Sequence, residues 1–264
     1  MKNTDDQRIT LEDLCDLMAR LRGEGGCPWD KQQTGSSIKI YLLEEAHELA
    51  EALDQNDTEE VKEELGDLLF QIIFLSQLYR EQGDFDLSEV MKAIYQKMIR
   101  RHPHVFGDQA WQSPREVVQG WQEIKAGEKK GQDPFESLPP ALPSLLKAHR
   151  VSQRAAGMGF EWADTGQVLA KVREELNEIE EALERKDQEA AQEELGDLLL
   201  SLVNLGRLMG VTAENGLRQA TQKFLTRFRS MLRDDRLQDR NHHSLSPEEW
   251  EQLWLQSKKA LQEK

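Results

Sequence analysis

Apolar residues recur at helical spacing through most of the chain, and no run of alternating apolar and polar residues marks a half-buried strand. One helix-face stripe consists of Leu42, Leu43, Ala46, Leu49, Ala50 and Leu53. A second stripe consists of Leu65, Leu68, Leu69 and Ile72. The sequence DQNDT at 54–58 lies between them and is rich in residues that form turns and helix N-caps. The pattern predicts an all-α fold in which these two helices form an antiparallel hairpin.

The chain carries an internal duplication. The heptapeptide EELGDLL occurs at 63–69 and at 193–199, and EEAHE at 44–48 corresponds to EELNE at 174–178 with the same offset. Between the halves, residues 127–144 gather glycines, charges and prolines, so this segment cannot be a regular helix throughout. We therefore predict a tandem repeat with a first domain at 1–126, a linker at 127–144 and a second domain at 145–264.

Composition narrows the classes of function. The chain has 49 acidic and 34 basic residues, a formal net charge of −15, which disfavours binding to nucleic acid or to an anionic membrane. The longest nearly apolar stretch, at 68–75, is far shorter than the roughly 20 residues of a membrane span. With only two cysteines and no leader pattern at the N-terminus, we expect a soluble cytoplasmic protein that binds neither nucleic acid nor membranes.

Each half repeats a spaced set of carboxylates, ExxE and then ExxD. The sets are Glu45, Glu48, Glu64 and Asp67 in the first half, and Glu175, Glu178, Glu194 and Asp197 in the second. Residues three apart are neighbours on a helix surface, so a hairpin can bring four carboxylates together. Because like charges about 5 Å apart repel by roughly 3 kcal/mol at an effective dielectric near 20, such a cluster needs a cation or protons. An all-oxygen set suits Mg²⁺ or Mn²⁺, while a merely solvated acidic face is the alternative.

Basic and aromatic residues of the second half are candidates for binding a nucleotide. They are Lys171, Lys223, Arg227, Trp254 and Lys258. Cations can hold phosphate oxygens and a ring can stack on a base, although each residue taken singly is also typical of an ordinary surface. Lys171 lies one turn before Glu175, whereas the first half has Tyr41 at the corresponding position. The two halves are therefore predicted not to be equivalent.

The ordered motifs resemble those of the MazG family of nucleoside triphosphate pyrophosphohydrolases over nearly the whole chain. They are GCPWDKQQT, EEAHE, EELGDLLFQ, RRHPHVF and WQEIK in the first half, and KVREELNE, EELGDLL, KFLTRF and WLQSK in the second. The resemblance implies helix hairpins that assemble with partner copies into four-helix bundles around Mg²⁺, commonly as homodimers. It also implies hydrolysis of NTPs and dNTPs to NMP and pyrophosphate, in keeping with nucleotide-pool housekeeping.

Matching positions carry the family's roles onto this chain. The resemblance implies that Glu175, Glu178, Glu194 and Asp197 are catalytic metal ligands, and that Lys171, Lys223, Arg227, Trp254 and Lys258 contact the nucleotide. The first half matches the metal motif at Glu45, Glu48, Glu64 and Asp67. Two alternatives stay open: an acidic helical interaction module without catalysis, and an NTP phosphatase that releases the γ-phosphate.

The glycine of each EELGDLL motif weakens its helix by about 1 kcal/mol relative to alanine. Gly66 lies about 160° around the helix from Glu64, so it is not expected to face the metal. We expect another helix to pack closely at Gly66 and at Gly196, away from the carboxylates.

Overall fold

The computed structural model of the protein describes residues 8–128, 133–233 and 245–262. Helices, turns and short loops account for these ranges, and no strand occurs within them. The helices are α1 Leu11–Arg22, α2 Pro28–Gln32, α3 Gly35–Gln55, α4 Thr58–Gln82, α5 Leu87–Arg101, α6 Pro103–Phe106, α7 Pro114–Glu128, α8 Ser144–Gly157, α9 Thr165–Glu184, α10 Gln188–Leu208, α11 Ala213–Leu232 and α12 Pro247–Gln262. The predicted all-α class is confirmed.

The chain divides into two compact units between Val117 and Val118. Helix α7 crosses this division and reaches into the segment predicted as the linker. The predicted domain bounds of 1–126, 127–144 and 145–264 therefore stay a prediction.

In the described part of the chain, no single helix is long and apolar enough to cross a membrane. Helices α10 and α11 meet the length and composition criteria for a span only when they are taken together, and the chain bends by 102° between them.

The first unit is built on the hairpin of α3 and α4, and α1 packs against α4. Its buried cluster consists of Met18, Ile38, Ile73, Phe74 and Leu78. The second unit is built on the corresponding hairpin of α9 and α10, against which α8 packs. In this unit α11 and α12 also pack together, around Met231 and Leu253. The two hairpins confirm the tandem repeat.

Both hairpins leave apolar side chains uncovered within the single chain. In the first unit, the predicted stripe residues Leu43, Leu53, Leu65 and Ile72 each keep more than a third of their surface exposed. The buried residues of α3 are instead Ile38 and Ala52. A two-helix hairpin with α1 on one side covers only part of each helix, so the remaining part of each stripe faces outwards.

Neither glycine of the repeated heptapeptides has a close neighbour among the residues that the structure describes. A Cβ built at Gly66 or at Gly196 meets no atom of the described residues within 4 Å. Within the described part of the chain no helix packs closely there, because α3 and α9 contact other sides of α4 and α10; packing by a helix of a second copy stays a prediction.

Candidate metal and nucleotide site

The turn of each hairpin is held by the same two devices. Asn56, the C-cap of α3, and Lys186, the residue after the C-cap of α9, take left-handed conformations, both with φ of 56°. Asp57 then caps α4 by accepting hydrogen bonds from Glu59 N and Glu60 N. Asp187 caps α10 by accepting from Ala190 N at 3.1 Å. These caps start the second helix of each hairpin in a fixed register, which positions its carboxylates against those of the first helix.

The first-half cluster consists of Glu45 on α3 with Glu64 and Asp67 on α4. One ligand atom of each residue lies within 4.8 Å of those of the other two. Glu48, the fourth predicted ligand, lies outside this triad but contacts Glu45. The Oε2 atom of Glu64 is buried and has no hydrogen-bond partner among the described residues. An oxygen left in this way is suited to a ligand that carries positive charge.

The second-half cluster repeats the arrangement with Glu175 on α9 and Glu194 and Asp197 on α10, again within 4.8 Å of one another. Glu175 is only 3% exposed, while Asp197 is exposed. Glu178 lies outside the triad and is in hydrogen-bonding contact with Glu175. Thus three of the four predicted carboxylates converge in each half, and the fourth lies beside them.

Burial and mutual repulsion make several of these carboxyl groups harder to ionise. Burial, followed by the nearby Glu48, Glu45 and Asp67 charges, raises the pKa of Glu64. Burial and then the neighbouring Glu175 and Asp197 carboxylates raise the pKa of Glu194 in the same way. The ionised form of each cluster is therefore destabilised when no cation is bound, because like charges in a partly buried site repel one another.

The carboxyl groups of Glu45 and Glu178 are also harder to ionise than usual. Burial raises the pKa of Glu45, although a hydrogen bond from Gln71 opposes the change. Burial and then Glu194 raise the pKa of Glu178, and Lys171 opposes the change. Each half thus has one side chain that favours the ionised carboxylates. In the first half it is the neutral Gln71, and in the second half it is the positively charged Lys171.

Those two partners distinguish the halves. In the second half the Lys171 Nζ atom lies 2.9 Å from Glu175 Oε1 and 2.8 Å from Glu174 Oε1. In the first half Tyr41 takes the place of Lys171 and packs against the apolar cluster. There Gln71 Nε2 donates to Glu45 Oε1 at 3.3 Å. Sequence reasoning missed Gln71, although its signal was present as the one polar residue in the apolar run at 68–75.

The predicted nucleotide residues of α11 and α12 are brought together in part. The guanidinium carbon of Arg227 lies 5.7 Å from the centre of the Trp254 ring, and Phe224 lies 5.2 Å from the same ring. Ser257, which sequence reasoning missed, is buried and donates to Arg227 O at 3.0 Å. Lys223 and Lys258 are exposed on α11 and α12. The roles of these residues, like those of the carboxylates, stay predictions.

These features define a duplicated all-helical protein in which each half presents a carboxylate cluster that could hold a metal ion. The family model described as "MazG nucleotide pyrophosphohydrolase domain" matches residues 33–106 and 165–231, which contain the two hairpins. The chain belongs to the MazG family.

Two relatives match most of their own length. The nucleoside triphosphate pyrophosphohydrolase/pyrophosphatase MazG of Thermotoga maritima is 44% identical over 225 residues, which cover 84% of this chain and 86% of that protein. The nucleoside triphosphate pyrophosphohydrolase of Escherichia coli K12 is 39% identical over 255 residues, covering 94% and 97%. A crystal structure of a MazG-related protein from Thermotoga maritima matches with 26% identity and a TM-score of 0.38, over 44% of this chain and 98% of that one.

Proposed function

We propose that this protein is an Mg²⁺-dependent nucleoside triphosphate pyrophosphohydrolase, which cleaves NTPs and dNTPs between the α- and β-phosphates to give NMP and pyrophosphate. The observation that carries the proposal is the paired occurrence of a carboxylate triad on each hairpin, within 4.8 Å in both cases. The names of the relatives at 44% and 39% identity support the substrate class. A second copy of the chain, NTPs and a divalent cation are then its partners.

The donor set fits a hard divalent cation. All three residues of each triad offer carboxylate oxygens, which Mg²⁺ and Mn²⁺ prefer, and no thiol or imidazole belongs to either triad. The buried, unpartnered Glu64 Oε2 atom supports the same fit in the first half. Glu45, Glu64 and Asp67 would hold the ion there, and Glu175, Glu194 and Asp197 would hold it in the second half.

The remaining residues account for binding and proton transfer. When bound, Mg²⁺ supplies positive charge that offsets the triphosphate and makes nearby water more acidic. Lys171, Lys223 and Arg227 bind phosphate oxygens and stabilise the charge of the departing pyrophosphate. Glu178 accepts the proton of the attacking water, because it lies beside the triad without belonging to it. The Trp254 ring and Lys258 contact the base and the phosphates from α12.

The exposed apolar residues support a homodimer. Leu65, Ile72 and Tyr79 on α4 are spaced by seven residues, and each is more than a third exposed. In the second half the corresponding residues Leu195, Leu202 and Met209, on α10 and at its end, repeat this spacing and are also more than a third exposed. Seven-residue spacing forms a seam to which another helix packs, so a second copy would complete each hairpin as a four-helix bundle.

The free Cys15 and Cys27 agree with a reducing cytoplasm, where the nucleotide pool lies.

Product analysis of the full chain with ATP and Mg²⁺ tests the function. Anion-exchange chromatography is expected to show AMP and pyrophosphate in equal amounts. Appearance of ADP and phosphate would instead identify a γ-phosphate-releasing phosphatase, and no product at all would favour the acidic interaction module.

Substitution of one ligand in each half tests the site. Asp197→Asn removes one carboxylate of the second-half cluster and is expected to lower AMP release at least about a hundredfold, since losing a metal ligand removes most of the metal's effect. Asp67→Asn is expected to lower it less, because Lys171 has no counterpart in the first half. Glu181→Gln is the matched control, as Glu181 is exposed on α9 outside the cluster. Undiminished AMP release from the Asp197→Asn chain would refute the assignment.

A further inference from the structure

We propose that Lys171 is an internal counter-cation, which competes with a divalent metal ion for the second-half cluster. The inference rests on the proposed function, because it concerns how that site is loaded. Its ammonium group lies 2.9 Å from Glu175 Oε1 and also contacts Glu174. The Lys171 side chain is one-third exposed, so it can exchange partners, whereas Glu175 is almost fully buried.

Glu175 needs such a partner. Its side chain is in hydrogen-bonding contact with both Glu178 and Glu194, which places three acidic groups together on two helices. An unpaired buried carboxylate is costly, and removing its only cationic partner is strongly unfavourable. Lys171 is the one basic residue in an ion pair with this cluster in the described part of the chain. It therefore stabilises the cluster in the absence of metal, and a metal ion must share or displace this contact.

In the part of the chain that the structure describes, no lysine or arginine forms an ion pair with the first-half cluster. Tyr41 stands in place of Lys171, and Glu45 accepts a hydrogen bond from the neutral amide of Gln71. An amide does not repel an arriving cation, whereas an ammonium group does. Without nucleotide, the first half is therefore expected to bind divalent metal more tightly than the second half.

A bound triphosphate changes the competition between Lys171 and the metal ion for Glu175, which exists only in the second half. Its oxygens offer Lys171 new partners, which releases Glu175 to the metal ion. By linkage, nucleotide and metal then each increase the affinity of the other, and this coupling is absent where Tyr41 replaces the lysine. Lys171 would thus make metal loading of the second half depend on substrate.

Mn²⁺ titration of the full chain by calorimetry tests the proposal. The parent chain carries Asp67→Asn, so that only the second-half cluster is complete. Adding Lys171→Met is expected to tighten Mn²⁺ binding at least about tenfold, because even the dielectric constant of water leaves a repulsion of that size between a positive charge and a divalent ion about 5 Å apart. Adding Arg173→Met is the matched control: it removes a positive charge from an exposed position on the same helix and is expected to leave Kd within about twofold of the parent value.

A charge-preserving variant separates charge from structure. Lys171→Arg keeps the positive charge and is expected to keep the parent Kd, and circular dichroism confirms that each variant is folded. If Lys171→Met leaves Kd unchanged or weakens binding while the parent binds Mn²⁺, the counter-cation role is wrong but the metal site stands. If neither the parent nor Lys171→Met binds Mn²⁺, the proposed function fails with it. Equal tightening by methionine and arginine would also overturn the role.

Discussion

At the scale of single residues, His149 on α8 is a partly buried group that the proposed chemistry does not use. Its Nδ1 atom is buried without a hydrogen-bond partner among the described residues. Burial lowers the pKa of His149, and the positive charges of Arg150 and Arg207 lower it further. Arg207 is held beside Glu161 by a pair of hydrogen bonds, of 2.7 and 2.5 Å. The folded second unit therefore favours the neutral imidazole.

This arrangement predicts how stability changes with pH. Below about 6.5 the unfolded chain takes up a proton at His149 that the folded chain does not, so stability falls as pH decreases towards the lower pKa of the folded state. The slope from one proton cannot exceed about 1.4 kcal/mol per pH unit. His149→Gln is expected to reduce the slope between pH 7 and 5.5, as measured by urea unfolding. His47→Gln, which removes an exposed histidine, is the control; an unchanged slope in His149→Gln would contradict the prediction.

Residue-level features of the site were predictable only where spacing determines them. Both triads follow from the ExxE and ExxD spacing together with the hairpin. The positions of Glu48 and Glu178 beside the triads do not, since they depend on how far α3 rotates against α4 and α9 against α10. The pairing of Lys171 with Glu175 could be placed within one helical turn by sequence, but the hydrogen bond from Gln71 crosses between helices and could not.

At the scale of helices, the two hairpin turns differ in how well their residues suit them. The first turn places Asn56 in the left-handed conformation, which asparagine tolerates, whereas the second places Lys186 there. Composition alone predicted the DQNDT turn, because four of its residues are common in turns or caps. It could not predict the left-handed Lys186, whose conformation is imposed by the Asp187 cap and the packing of α9 on α10.

The Lys186 conformation predicts a stabilising substitution. Lys186→Gly is expected to raise the free energy of unfolding by about 1 kcal/mol, since glycine adopts positive φ without the steric cost of a Cβ. Arg185→Gly is the matched control: Arg185 has a right-handed conformation, and glycine there should lower stability. Both changes are measured by urea unfolding at pH 7. Equal losses in the two variants would contradict the left-handed assignment.

At the scale of the whole molecule, the apolar pattern predicted the hairpins correctly but not which side of each is covered. An apolar residue fits this pattern whether it is buried within one chain or between two chains. The folds of a single chain bury only some of these residues. Ile72 and Leu202, which correspond in the two halves, remain 39% and 41% exposed. Among the described residues, no atom lies within 4 Å of a Cβ built at Gly66 or Gly196, so the proposed second copy would have room to pack there.

This exposure leads to a test of the proposed dimer. Ile72→Glu combined with Leu202→Glu places a carboxylate in each seam without altering either cluster. Burying an unpaired charge costs several kcal/mol, so the mass from sedimentation equilibrium is expected to fall from that of two chains to that of one. Each single chain should stay folded, because both side chains are exposed within it. Leu255→Glu, at an exposed leucine of α12, is expected to remain dimeric. If the double variant keeps the mass of two chains, the hairpin seams are not the interface.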